Sequence, residues 1–166
     1  LPINFKLDVF MYKPSHFQEQ RKDALLELSA KNPLSTIVWQ SPDGTFADHI
    51  PMFFKASESG NGCLLGHVAR NNPLWRYASN QEVLVIFQGV NAYISPNWYA
   101  TKQETGKAVP TWSYVAVHVY GKIRAIEDVT WISQQLSTLT SLHEQSQAKP
   151  WKMTDAPPDY IERMIN

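Results

Sequence analysis

The sequence predicts an α+β fold, a mostly antiparallel and about six-stranded β-barrel with sparse helices at its edges. β-branched and aromatic residues concentrate in short runs bounded by turn signals, most clearly in 82–99 and 111–127. Helical periodicity is confined to 14–33, to 128–145 and to the C-terminal end. No repeat or low-complexity segment interrupts the chain, so we expect residues 1–166 to form one domain.

The first elements follow from capping and turn signals. Over 14–33, Ser15 with Gln18 three residues later predicts the start of a helix, and Asn32-Pro33 predicts its end. The runs 34–40 and 45–55 flank the turn sequence "SPDG" and are expected to form a hairpin. Pro51 inside the second run indicates an edge strand or a bulge, because proline cannot donate to a strand ladder.

The middle of the chain is expected to hold a strand over 63–69 and a short helix over 73–78. The run 82–99 predicts a second hairpin that turns at Gly89, followed by a polar loop over 100–110.

The alternation in 111–127 gives the longest strand signal. Helices are then expected over 128–145 and after the proline pair Pro157-Pro158. The expected apolar face of the longer helix consists of Trp131, Leu136, Leu139 and Leu142.

Composition limits the possible partners. Fifteen basic residues balance fifteen acidic residues, so no basic surface for nucleic acid is evident, and no helix-turn-helix motif is recognisable. DNA therefore stays a possible partner that neither a basic surface nor a DNA-binding motif supports. A single cysteine, Cys63, excludes an intrachain disulfide and is expected to be a buried strand thiol. No apolar run reaches membrane-spanning length, and no secretory signal opens the chain, so a cytoplasmic protein without membrane contact is expected.

Several enzyme signatures are missing. The sequence contains no phosphate-binding lysine loop, no GxGxxG, no GxSxG and no HExxH motif, which argues against P-loop enzymes and common hydrolases. The histidines share no metal-ligand spacing, so no metal site and no catalytic set is predicted.

The stretch "GHVARNNPLW" (66–75) is the strongest candidate for a binding site. Arg70 lies within one turn of the helix expected at Pro73, and a guanidinium beside a helix start suits a phosphate or another anion. The structural alternative is that Arg70 pairs with a carboxylate and that Asn71 or Asn72 caps the helix. His67 likewise has two possible roles, as a structural histidine or as a residue that contacts the ligand.

Aromatic and unusual strand residues extend this candidate. "HIPMFF" (49–54) places a histidine and a proline within a strand, which favours a sheet edge or a ligand contact. A second cluster is aromatic and consists of Tyr93, Trp98, Tyr99, Trp112 and Tyr114. Such side chains can line a pocket for a planar ring, fill a dimer interface or pack in the core. Together these residues favour a planar ligand bearing an anion, and flavin mononucleotide (FMN), haem and pyridoxal phosphate all remain open.

These motifs occur in the order typical of the PaiB family, which the chain resembles from Met11 onward. The resemblance rests on "MYKPSHF", "HIPMFF", "GHVARNNPLW", "YISPNWY", "VPTWSYVAVHVYG" and "KPWKMTDAPPDYIERMI". It implies an FMN-binding split β-barrel, a homodimer with flavin at the subunit interface, and negative transcriptional regulation of sporulation and protease genes. It also implies roles for single residues. His67, Arg70 and Asn71 would line the phosphate end, His49 and Pro51 would approach the ring, and Lys107 and Trp112 would come from the second subunit.

The chain departs from the family pattern at both ends. Ten residues precede Met11 and are expected to be an N-terminal extension. The strand and the "KLSQN"-like segment that follow the last helix in the family are missing here, which puts one barrel strand and some flavin contacts in doubt.

Two functional alternatives accompany the regulatory hypothesis. One is an FMN-dependent oxidoreductase acting on a small substrate, in which the cofactor carries the chemistry. The other is haem binding, with His49, His67 or His118 as the iron ligand.

Overall fold

One antiparallel sheet forms the body of the protein. The computed structural model describes residues 2–6, 12, 14–56 and 62–165. Within these residues seven strands follow the order β3-β2-β6-β7-β1-β5-β4. The strands are β1 (Pro2–Lys6), β2 (Leu34–Ser41), β3 (Gly44–Pro51), β4 (Phe53–Lys55), β5 (Cys63–Leu65), β6 (Glu82–Ile94) and β7 (Thr111–Ile123).

The two edges of this sheet are consecutive in the chain. Edge strand β3 ends at Pro51 and the opposite edge strand β4 begins at Phe53, so only Met52 separates them. Since one residue cannot bridge the width of a flat sheet, the sheet must curl until its edges approach each other. Met52 is fully buried at this point, and its backbone N–H donates to the carbonyl oxygen of Pro33 at 2.9 Å.

The strand count and one predicted turn differ from expectation. The sheet has seven strands where about six were predicted, because β1 inserts between β7 and β5 and the run 45–55 divides at Met52. The predicted hairpin turn at Gly89 is wrong, since β6 runs unbroken to Ile94 beside β7. An irregularity in the pairing between Gln88 and Asn91 accommodates this glycine without reversing the chain.

Five helices flank the sheet in the described part of the chain. They are α1 (Lys22–Lys31), α2 (Leu74–Tyr77), α3 (Ala100–Thr105), α4 (Val129–Glu144) and α5 (Pro158–Ile165). The segment 100–110 was predicted to be a loop, but its first part forms the short helix α3. The start of α4 is capped as its sequence suggests, because the Asp128 carboxylate accepts from the Trp131 N–H at 2.7 Å.

The first helix begins later than its capping signal predicted. Ser15 opens only a single 3₁₀ turn, and the chain then runs extended through Gln18. The Glu19 carboxylate accepts from both the backbone N–H and the guanidinium of Arg21, at 2.9 and 2.7 Å. This local pairing holds the segment outside the helix until Lys22.

The core lies between the curled sheet and its flanking helices. Alternate residues of β2, β6 and β7 point inward and are buried, as expected for strands with one covered face. The most completely buried large side chains are Ile3, Ile37, Met52, Leu74, Val85, Phe87 and Ile123.

The far ends of β6 and β7 leave this core. Residues 88–94 of β6 pair with 111–116 of β7, and almost all of them are exposed; we call these two segments the arm. The arm and the turn that follows it expose Tyr93, Trp98, Tyr99, Trp112 and Tyr114. Core packing of this aromatic cluster, one of the alternatives raised by the sequence, is therefore wrong for the single chain.

Two further features are absent from the described residues. No helix there combines the length and the apolar character that crossing a membrane requires. No group of three or more histidine, cysteine, aspartate or glutamate side chains there is placed to hold a metal ion.

Candidate functional site

The two motifs "HIPMFF" and "GHVARNNPLW" lie side by side in the structure. A Cβ atom at Gly66 would stand 3.0 Å from Met52 Cγ, 3.1 Å from Ile50 Cγ2 and 3.3 Å from the Pro51 carbonyl oxygen. A side chain at position 66 would therefore push the two segments apart. Glycine here allows the loop that carries His67 to lie directly on the end of β3.

A hydrogen-bonded carboxylate ties the same two motifs together. Asp48 in β3 accepts from Asn72 Nδ2 and from Trp39 Nε1, each at 2.7 Å. The carboxamide oxygen of Asn72 in turn accepts from the backbone N–H of Leu74, the first residue of α2, at 2.8 Å. The capping interpretation of Asn72 is confirmed, and the carboxylate that positions Asn72 was not identified from the sequence.

Arg70 is fixed at its backbone and exposed at its guanidinium. Trp75 Nε1 donates to the Arg70 carbonyl oxygen at 2.9 Å, which anchors the turn. The guanidinium pairs with Glu127 at 3.2 Å, and both side chains are more than half exposed. The carboxylate partner foreseen as the structural alternative is thus present. Ion pairs this open to solvent contribute only about 0–1 kcal/mol, so the pairing is easily exchanged.

His67 and Asn71 occupy the same loop as Arg70. Asn71 is exposed in the turn itself. His67 is exposed on this loop, yet desolvation of its ring on the protein-facing side lowers the pKa of the imidazole, and a hydrogen bond with the Gln135 side chain opposes that shift. A lowered pKa leaves His67 neutral at pH 7, able to donate from one ring nitrogen and accept at the other.

His49 and Pro51 lie on the edge strand next to this loop. The Nδ1 atom of His49 and the Oγ1 atom of Thr36 share a hydrogen bond of 3.1 Å, and His49 is exposed. Pro51 is the last residue of β3, so the predicted edge position is confirmed. The structure therefore places the loop that carries His67, Arg70 and Asn71 against the end of the strand that carries His49 and Pro51, through the close approach of Gly66 to Pro51 and the hydrogen bond of Asn72 to Asp48.

Lys107 and Trp112 belong to a different region of the chain. The Trp112 ring meets Tyr93 edge-on, with ring centroids 6.1 Å apart, and is 61% exposed on the arm. Lys107 is exposed just before β7, and its backbone N–H donates to Thr105 Oγ1 at 3.2 Å. The contacts that hold these two residues are made within the arm and the adjoining loop.

A cavity of about 420 Å³ opens between α4 and the strands β4 and β5. Its lining residues are Phe53, Phe54, Lys55, Ala56, Leu65, Trp131, Gln134, Gln135, Thr138 and Leu142. The buried face of α4 was predicted with Leu136, but Gln135 and Leu139 are its buried residues. Sequence reasoning missed Gln135 because a glutamine is ordinarily assigned to the solvent side of an amphipathic helix.

Comparison with known proteins identifies the family. A family model described as "Putative FMN-binding domain" matches residues 11–166. The chain is 39% identical over 155 residues to the uncharacterized protein YKL070W of Saccharomyces cerevisiae, covering 81% of this chain and 91% of the relative. It is 31% identical over 153 residues to the protease synthase and sporulation protein PAI 2 of Bacillus subtilis, covering 92% of this chain and 70% of the relative.

A solved structure shares the fold. The flavocytochrome Anf3 of Azotobacter vinelandii superposes with a TM-score of 0.65 at 11% sequence identity, over 91% of this chain and 64% of Anf3. The chain thus spans just under two thirds of the Anf3 chain. The match of the family model and the relatedness to PAI 2 agree with the motifs shared with PaiB proteins. The chain belongs to the PaiB-like family of FMN-binding domains, whose cofactor is FMN.

Proposed function

We propose that the protein is a cytoplasmic, single-domain, FMN-binding split-barrel protein that acts as a homodimeric regulator. The single observation that carries the proposal is the contact between the loop that holds His67, Arg70 and Asn71 and the end of the edge strand that holds His49 and Pro51. The approach of those edges at Met52 supports a closed split barrel over an open sheet.

The exposed turn fits the phosphate of FMN. Arg70 offers a planar fork of N–H donors, Asn71 an exposed carboxamide and His67 a neutral imidazole, all within one loop. A phosphate dianion competes well with Glu127 for the guanidinium, because the existing pair is weak and solvent-screened. The one-turn helix α2 adds little to this site, since its Leu74 N–H is already bonded to Asn72.

The ring system would extend from this turn toward the edge strand. Pro51 supplies an apolar contact at the end of β3, and the exposed His49 supplies a donor or an acceptor for the ring edge. Trp112 on the arm offers an exposed aromatic face, and Lys107 offers a cation. We assign these last two contributions to the second subunit.

Exposed apolar side chains on the arm, and Val109 just before its second segment, support the homodimer. Trp112 and Tyr114 are about 60% exposed, and Val90 and Val109 are more than three quarters exposed. Aromatic residues of this kind are enriched at protein interfaces, and contiguous exposed apolar surface is uncommon on monomers. A two-fold axis beside the arm would bury this surface and bring each arm to the other subunit's turn.

FMN supplies the capacity to accept and donate electrons at its ring when bound. The residues of this chain bind and orient that cofactor. Arg70 holds the phosphate by charge, His67 and Asn71 complete its hydrogen bonds, and Asp48 keeps the loop in place through Asn72. The dimer arm excludes water from the outer face of the site.

The regulatory role is supported by relatedness to PAI 2, a protein named for protease synthesis and sporulation. The formal net charge is zero and so offers no overall electrostatic attraction to DNA, and we propose regulation through a protein partner or the redox state of the flavin. A gel-shift assay on the protein's own promoter tests this point. Specific retardation at about 0.15 M salt would contradict an indirect role.

An FMN-dependent oxidoreductase is the second candidate, and the cavity beside α4 favours it. Its volume of about 420 Å³ falls within the range of small-molecule sites, and Gln135 on its wall lies near His67 of the proposed flavin site. Anaerobic bleaching of the bound flavin by NADH or NADPH would support this function. Unchanged flavin absorbance with both reductants would contradict it.

Titration with FMN tests the binding site itself. We expect FMN to bind the wild-type protein and Arg70→Ala to weaken binding about tenfold or more, because a charge-assisted contact to phosphate is lost. Arg163→Ala is the matched control, since Arg163 is also exposed and paired with a carboxylate, but on α5. Equal affinities of the wild type and Arg70→Ala would contradict the assignment of the phosphate turn.

A further inference from the structure

The cavity between α4 and the strands β4 and β5 combines an apolar interior with a polar rim. Its volume of about 420 Å³ lies within the range of small-molecule sites. Leu65 is buried, and Phe53 and Trp131 are half-buried, so the interior is apolar and partly aromatic. Gln135 adds no accessible polar group to it, because both amide atoms of that side chain are buried. An apolar group therefore gains free energy by entering this cavity.

The pairing of β4 with β5 places a lysine beside this apolar wall. Residues that pair directly across an antiparallel ladder project to the same face of the sheet, as do alternate residues of one strand. Phe53 pairs with Leu65, and Lys55 follows Phe53 by two residues, so the three side chains share the face that bounds the cavity. Lys55 is exposed whereas Leu65 is buried, so the lysine lies at the mouth of the cavity.

The charge at the mouth has no partner within the described part of the chain. Lys55 is the only charged residue among those that line the cavity there, and no carboxylate of the described residues forms an ion pair with it. Gln134 and Thr138 complete the exposed rim with uncharged polar groups. This arrangement complements a ligand that is largely apolar and carries one negative charge at its end. A carboxylate at the rim keeps its contact with water and avoids the cost of full burial.

We propose that this cavity binds an aromatic carboxylate, with its ring between Trp131 of α4 and Phe53 of β4 and its carboxylate against the ammonium group of Lys55. An aromatic ring suits the cavity better than a flexible chain, because each wall supplies an aromatic side chain and contacts between rings add to the gain from burial. The site is separate from the proposed flavin turn and does not rest on flavin binding.

Three naphthalene probes separate the contribution of the ring from that of the charge. Naphthoate carries the carboxylate, naphthamide has the same ring without a charge, and naphthylmethylamine carries a positive charge. Calorimetric titration of the full chain at low salt, without FMN, measures the affinity for each probe. We expect naphthoate to bind about fivefold more tightly than naphthamide, because an exposed ion pair contributes a factor of about this size, and the amine to bind most weakly.

Two variants test the charge and the cavity separately. Lys55→Gln removes the positive charge and is expected to weaken naphthoate binding about fivefold while leaving naphthamide binding unchanged. Lys102→Gln is the matched control, because Lys102 is exposed on α3, which contributes no residue to the cavity. Thr138→Trp fills the mouth from the exposed side of α4 and is expected to abolish the binding of all three probes. Thermal melting verifies that each variant is folded.

Four results would overturn the proposal. The first is no binding of naphthoate to the wild type, and the second is an equal naphthoate affinity in the wild type and Lys55→Gln. The third is unchanged naphthoate binding by folded Thr138→Trp, which would place the probe elsewhere on the protein. The fourth is displacement of bound naphthoate by FMN, which would assign the cavity to the flavin.

Discussion

The paired strands β6 and β7 divide into two halves that differ sharply. We call the half that packs in the core, residues 82–87 with 117–122, the near half, and the other half is the arm. In the near half, Val85, Phe87 and Val119 are buried and the pairing is regular. In the far half, the arm, Trp112 and Tyr114 are exposed although their backbone pairing continues. Strand formation alone therefore does not explain the sequence of the arm.

The difference agrees with the proposed homodimer, in which the near half would stabilise the single chain and the arm would form the interface. Large aromatic side chains lose little when they stay exposed in a monomer, but they bring a large apolar area to an interface. The boundary lies at Gly89, where the pairing is irregular and Leu28 of α1 covers the strand.

The largest expected effect is on the near half. Phe87→Ala removes a fully buried aromatic ring and is expected to lower the free energy of unfolding by about 3–5 kcal/mol. Trp112→Ala on the arm is expected to change the unfolding of the monomer by less than about 0.5 kcal/mol. Urea denaturation at a concentration where only monomer is present measures both. Equal losses would refute the division into two halves.

The second effect concerns association. Tyr114→Glu places a charge on the exposed arm and is expected to convert the dimer into a 19.0 kDa monomer. Tyr12→Glu is the control, because Tyr12 is 91% exposed and lies far from the arm in sequence. Sedimentation velocity distinguishes the species. A wild-type protein that sediments as a monomer at all concentrations would contradict the assigned role of the arm.

The third effect locates the boundary between the halves. Gly89→Val is expected to destabilise the chain by about 1–3 kcal/mol, because the added carbon atoms crowd Leu28 and the backbone at Val115. Val90→Ala, one residue along the arm and 83% exposed, is expected to be nearly neutral. If thermal melting shows the two variants to be equally destabilised, the core extends further into the arm than we infer.

The smallest effect is a pH dependence at the turn that carries His67 and Arg70, the proposed partner of the arm across the dimer. Burial lowers the folded-state pKa of His67 below its usual value of 6.5. The unfolded state then binds more protons at mildly acidic pH, so stability should rise with pH through this window and level off above about pH 7. His67→Gln should flatten the profile, whereas the exposed control His16→Gln should not. An unchanged profile in His67→Gln would contradict the lowered pKa of His67.

Much of the fold could be predicted from local signals. The alternation of β7, the helical pattern that begins at residue 128 and the proline before α5 each act over a few residues, and each is reproduced in the structure. The turn predicted at Gly89 was wrong because the strand continues where it packs against Leu28. The helix start predicted at Ser15 was wrong because the chain stays extended where Glu19 bonds to Arg21.

The candidate site was only partly predictable for the same reason. The motifs indicated His67 and Arg70, but the contact of Gly66 with Pro51 depends on the closure of the sheet, which no local pattern encodes. Asp48 and Gln135 were missed because their importance comes from partners distant in sequence.

The central claim, a flavin site shared between two subunits, is tested most directly by subunit complementation. Arg70→Ala and Lys107→Ala are each expected to weaken FMN binding as homodimers, since the two residues serve one site from different subunits. When the two variants are unfolded together and refolded as an equal mixture, about a quarter of the sites should regain wild-type affinity, because half of the dimers then carry one intact site. Measurement by flavin fluorescence titration should reveal this tight fraction. No recovery in a mixture that contains heterodimers would contradict the shared site.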